Sequence, residues 1–93
     1  MITASQKDVI LHTLAPHKPA MVGIFGSFAR NENTTDSDLD ILVDFKAVVN
    51  LLDLIGLEQE LSEILGVKVD LITRRSLSSH IEPYVDKDLI RIL

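Results

Sequence analysis

Two aspartates, Asp38 and Asp40, stand at the head of a mostly apolar run that continues Leu39, Ile41, Leu42, Val43 and ends Asp44-Phe45. A short run of this kind bounded by polar loop residues is a β-strand with core packed against it. In a strand, residues i and i+2 point to the same face, so Asp38 and Asp40 aim two carboxylates at one place. Desolvating them is costly unless a positive charge meets them. A divalent cation is the natural partner. Asp44, at the far end of the strand, reads as a solvated terminus and is left out of the site. Upstream lies a small-residue turn, Gly26-Ser27. A metal beside a glycine turn points to phosphate chemistry, because glycine lets a ligand approach the backbone closely.

The rest of the chain places these residues in an alternating α/β pattern. Thr3 to Ala15 is expected to be a helix, with Thr3 and Gln6 at capping-box spacing and Val9, Ile10, Thr13 and Leu14 on one face; Pro16 and Pro19 end it. Ala20 to Phe25 is an apolar strand. Ser27 to Asn31 reads as a short helix capped by Ser27, and the polar stretch to Ser37 as a loop. Asp38 to Phe45 is the second strand. Asn50 caps a helix through Leu65 with Leu51, Leu54, Ile55, Leu61, Ile64 and Leu65 at helical spacing, and Gly66 stops it. Val67 to Thr73 is a third strand. Ser76 to Leu93 is expected to be helical, its main part starting near Glu82 because Pro83 suits a first turn, with a stripe of Ile81, Val85, Leu89 and Ile92.

The expected order is α-β-α-β-α-β-α with a small mixed three-stranded sheet flanked by helices. The helix between strands two and three implies a parallel, right-handed crossover. The tighter link between strands one and two implies an antiparallel pair.

Residues 1–93 are expected to form a single domain, with no room for a second substrate-binding one. The net charge of −5 argues against direct nucleic-acid binding, which relies on Lys and Arg at phosphates. Lys68, Arg74 and Arg75 are the one basic cluster, and a solvated strand end is its expected role. The chain contains no cysteine, which excludes disulfides and thiolate metal sites. No apolar run approaches the ~20 residues of a membrane span, and the N-terminus lacks signal-peptide character. A cytoplasmic location is expected. His12, His17 and His80 have no metal-ligand spacing and read as surface or cap residues.

Asp70 lies mid-strand in Val67-Lys68-Val69-Asp70-Leu71, and if strand three lies beside strand two its carboxylate joins the other pair. Three neighbouring carboxylates either hold protons through raised pKa values or bind divalent cations. Mg²⁺ takes few protein oxygens and completes its shell with water and phosphate. Arg30, about a turn beyond Ser27, is placed to reach a phosphate.

Together these residues resemble the nucleotidyltransferase superfamily that includes the polymerase-beta and kanamycin nucleotidyltransferase enzymes. The shared pattern is a Gly-Ser turn, Gly26-Ser27, then an Asp-x-Asp strand, Asp38-Leu39-Asp40, then a third aspartate, Asp70. The fuller form, Gly26-Ser27-Phe28-Ala29-Arg30 followed by Ser37-Asp38-Leu39-Asp40-Ile41-Leu42-Val43, resembles the minimal nucleotidyltransferases, or MNT proteins. One position departs: the family usually has glycine after Ala-Arg, and this chain has Asn31, the next best residue at positive φ.

The resemblance implies that Gly26 and Ser27 hold a nucleotide triphosphate and that Asp38, Asp40 and Asp70 bind two Mg²⁺ ions. It also implies that Asp70 helps deprotonate the acceptor and that AMP passes from ATP to a hydroxyl. It further implies the role of an MntA-type antitoxin, whose partner is a HEPN ribonuclease toxin modified on a tyrosine. A small-molecule acceptor, and an antitoxin acting by binding alone, are the alternatives the sequence leaves open.

Overall fold

The computed structural model describes residues 2–93. Helix α1 (Ala4–Leu14) starts at the expected capping box. The Gln6 N–H donates to Thr3 Oγ1 at 3.1 Å and the Thr3 N–H to Gln6 Oε1 at 2.8 Å. Pro16 turns the chain through a single 3₁₀ turn, Ala15–His17, into strand β1 (Pro19–Phe25). A four-residue helix, α2 (Gly26–Ala29), follows at once. Phe25 occupies its cap position without a side-chain bond, so Ser27 lies inside the turn and is not the expected cap. Strand β2 (Leu39–Phe45) leads through a loop to α3 (Leu51–Leu65), where the Asn50 side chain accepts the Asp53 N–H at 2.8 Å. Strand β3 (Val69–Thr73) starts two residues later than expected.

Gly66 closes α3 in the left-handed conformation, φ +68°, where an added Cβ would meet no neighbour. Gly66→Ala therefore isolates the backbone cost and is expected to lower stability by about 1 kcal/mol. Thermal unfolding should show this as a Tm fall of roughly 5 °C.

The stripe on α3 differs from the expected one. Leu57 and Leu61 are buried and Leu54 and Leu65 pack beside them, whereas Leu51 is 70% and Ile64 56% exposed. The core-facing line runs 54-57-61-65, and the other apolar positions lie outside it. Periodicity alone admits both lines; only the docked neighbours choose between them.

The C-terminal segment is the main departure. Instead of one helix from Ser76 to Leu93 it forms a short helix, α4 (Glu82–Asp88), and a fourth strand, β4 (Ile90–Arg91). The sheet is thus four-stranded, in the order β3-β2-β1-β4. The β1/β2 and β1/β4 pairs are antiparallel and the β2/β3 pair parallel, the mixed pairing the connections imply. The expected stripe breaks because Val85 and Leu89 pack on one face of the sheet while Ile92 packs on the other. A continuous helix cannot serve both faces, but an edge strand does so by alternation. Gly23 makes this possible, since a Cβ there would lie 2.5 Å from Leu89 Cδ1.

The sheet faces are unequal. On one, Val22, Ile24, Leu39, Ile41, Val43, Val69 and Leu71 meet Ile10 and Leu14 of α1 and Leu57 and Leu61 of α3. Each such buried aliphatic side chain contributes about 1.5–3 kcal/mol. On the other, Val85 of α4 covers only Met21 and Leu42, with Phe25, Ile72, Leu77 and Leu89 around them. That thinner face carries Asp40 and Asp70. Among the described residues no helix is long and apolar enough to cross a membrane.

Candidate active site

The β1/β2 register places Phe25 opposite Asp40, so the chain leaves β1 directly beside that carboxylate. Gly26 takes the turn with φ +72°, and a Cβ at this position would collide with Asp40 Oδ2. The glycine is required twice over, by its backbone angle and by the carboxylate against it. Ser27 is half-buried in α2, and its carbonyl accepts the Glu32 N–H at 2.9 Å. Asn31 adopts φ +59°, so the residue that replaces the usual glycine takes the positive φ expected of it.

Across the β2/β3 pair, Asp40 is in register with Asp70, and Asp38 directly precedes the strand. The parallel pairing thus brings the third aspartate beside the first two. Burial pushes the Asp40 carboxyl up to about 6, with Asp70 and then Asp38 adding repulsion and Arg30 opposing them. Asp70 is exposed and Asp38 half-exposed.

The carboxylates do not close on one point. Among the described residues no group of three acidic or histidine side chains is arranged to hold a metal ion. Asp38 instead faces Lys68, whose Nζ lies 3.7 Å from Asp38 Oδ2. The set still suits Mg²⁺, which takes one or two carboxylates and fills its remaining positions with water and phosphate oxygens. A half-buried Asp40 facing two like charges is the feature a divalent cation would relieve.

Arg30 follows α2 and does not point freely to solvent. Its Nη1 donates to Asp88 Oδ2 at 2.6 Å, and its Nε lies 3.4 Å from Glu32 Oε2. The Asp88 bond is the main reason the guanidinium pKa is raised. Sequence reading missed Lys68 and Asp88 as neighbours of the site. Lys68 was legible as two residues before Asp70, but Asp88 was not, because a separation of 58 residues joins it to Arg30 only in three dimensions. The basic cluster is dispersed: Lys68 faces Asp38, and Arg74 donates to Asp86 Oδ1 at 2.9 Å, fastening the other side of α4. A cavity of about 260 Å³ opens at the opposite end of β2 and β3, lined by Val43, Phe45, Val48 and Arg74 among others, and takes in none of the three aspartates.

The chain is similar in sequence and fold to known proteins. The nucleotidyltransferase domain family matches residues 9–92. The chain is 47% identical over 77 residues to a provisionally named protein adenylyltransferase of Methanocaldococcus jannaschii, covering 82% of this chain and 79% of the relative. It is 44% identical over 71 residues to the protein adenylyltransferase MntA of Thermococcus cleftensis, covering 76% and 72%. Among solved structures, a chain of a toxin–antitoxin crystal structure with AMP-PNP superposes with a TM-score of 0.86 at 25% identity. The match covers 94% of this chain and 72% of that one.

Proposed function

This chain belongs to the nucleotidyltransferase domain family, and we propose that it transfers AMP from ATP to a hydroxyl of a partner HEPN ribonuclease toxin, acting as its antitoxin. The observation that carries the reading is the in-register pairing of Asp40 with Asp70, with Gly26 held against Asp40. Support for the protein acceptor comes from the relatives named as protein adenylyltransferases and the toxin–antitoxin neighbour with AMP-PNP. Tyrosine is the proposed acceptor side chain and the cytoplasm the proposed location.

In this reading Gly26, without a Cβ, leaves its backbone open to the triphosphate, and the Ser27 hydroxyl donates to a phosphate oxygen. Arg30 lies near enough to Asp40 to lower its pKa and offers a charged donor to the same phosphates. Asp38, Asp40 and Asp70 would hold Mg²⁺, which when bound neutralises charge on the phosphate oxygens and lowers the pKa of the attacking hydroxyl. The exposed Asp70 receives the hydroxyl proton. The acceptor oxygen forms a bond to the α-phosphorus as the bond from that phosphorus to the bridging oxygen breaks, and pyrophosphate leaves. Catalysis rests on positioning and charge.

The test is incubation of the chain with ATP, Mg²⁺ and the toxin encoded beside it, read by intact mass. A gain of one or more AMP units on the toxin, with loss of its ribonuclease activity, is expected. An unmodified toxin that is nonetheless silenced would make this an antitoxin that acts by contact. Pyrophosphate release with a small alcohol and no protein would make it a small-molecule enzyme.

A further inference from the structure

We infer that Glu58 and Ser62 are positioning residues that set Asp70 from the outer edge of the sheet; the inference rests on the role given to Asp70 above. Strand β3 is an edge strand, paired with β2 on one side only. The N–H groups of Val69 and Leu71 do not go to another strand. The Val69 N–H donates to Ser62 Oγ at 2.9 Å and the Leu71 N–H to Glu58 Oε2 at 2.8 Å. Ser62 Oγ in turn donates to the Glu58 carbonyl at 2.8 Å, which turns a lone pair toward Val69.

The residues on either side of Asp70 thus hang from one turn of α3. Spacing of four puts Glu58 and Ser62 on the same helix face, and Leu57 and Leu61 beside them anchor that turn in the core. Asp70 has no hydrogen-bonded side-chain partner among the described residues, so the position of its backbone sets the range its carboxylate can reach. An edge strand fastened only on its inner side opens locally at little cost. Side-chain acceptors on the outer side remove that freedom where the register with Asp40 matters. Blocking the edge against another strand is a second consequence of the same bonds.

The experiment is steady-state AMP transfer by the full chain, with ATP, Mg²⁺ and the toxin. Glu58→Ala is expected to lower kcat at least about tenfold and to leave KM for ATP within about twofold. Glu58→Gln, which keeps a carbonyl acceptor for the Leu71 N–H, is expected to restore activity. In an Asp70→Asn background, Glu58→Ala should cause no further loss. Wild-type kcat in Glu58→Ala, an equal loss in the Asp70→Asn background, or failure of Glu58→Gln to rescue would each overturn the inference. If Glu58→Ala does not fold, Ser62→Ala with Ser62→Thr as its rescue carries the same comparison. Full activity of Asp70→Asn alone would remove the underlying role of Asp70, which separates that failure from failure of the fastening.

Discussion

Asp40→Asn is expected to silence AMP transfer by about a thousandfold while making the metal-free protein more stable at neutral pH. The two effects have one cause. Asp40 is held half-buried beside two other carboxylates, and its pKa is raised to about 6 from an ordinary 3.8. A raised folded-state pKa means that the folded chain binds the proton more tightly than the unfolded chain. The stabilisation is therefore full below about 3.8 and is lost as pH rises through about 6. At pH 7.5 the charged carboxylate weakens the fold, and the neutral amide of the variant does not.

Two pH units would correspond to about 3 kcal/mol, but Asp40 is partly solvated, so about 1 kcal/mol is expected. That is roughly 5 °C in Tm. The advantage should vanish near pH 4, where the wild-type carboxyl is protonated in the folded state. Thermal unfolding in chelator at the two pH values checks the sign. Adding Mg²⁺ with ATP should then stabilise the wild type more than the variant, because the variant loses one of the carboxylates that hold the metal and binds the ligand more weakly. Equal Tm values at pH 7.5 would show that Asp40 is better solvated than its position suggests.

Gly26→Ala is the second large effect, and Gly66→Ala is its control. Both glycines have nearly the same backbone angle, φ +72° and +68°, so both substitutions cost about 1 kcal/mol from the backbone alone. Only at Gly26 does the new methyl group meet a site residue: Asp40 Oδ2 lies in the way, with Asp40 Cγ 3.2 Å off. Gly26→Ala is expected to displace that carboxylate and cut kcat about a hundredfold. Gly66→Ala should lose a similar share of stability and keep its activity. Assays of both variants well below their Tm distinguish displacement of Asp40 from general destabilisation.

Much of this fold and site could be read in the chain. The capping box at Thr3 and Gln6, the Asn50 cap and the Gly66 stop are local devices, carried by side-chain chemistry within a few residues. They appear where the sequence puts them. The antiparallel and parallel pairings also follow from connection length. Readings that needed distant partners went astray. The apolar residues from Ile81 to Ile92 match helical spacing, yet the segment splits at Leu89 because one part covers the α4 side of the sheet and the other extends its β1 edge. On α3, Leu57 is buried and Leu51 is not, a choice made by β3 and α1. Arg30 has the spacing of a phosphate ligand, but its bond to Asp88 was beyond any local pattern.

Residue order alone specifies which groups the site contains: Gly26 at the turn, Ser27 behind it, and carboxylates at 38, 40 and 70. It does so because residue type fixes charge and backbone freedom, and strand alternation fixes facing. How those groups act on one another depends on the packed fold. Pairing of β2 with β3 set Asp70 beside Asp40, the thin cover of α4 left that face half-dry, and Lys68 and Arg30 supplied the nearest positive charge. Burial and electrostatic repulsion depend on distance through space, and that distance exists only once strands far apart in the chain lie side by side.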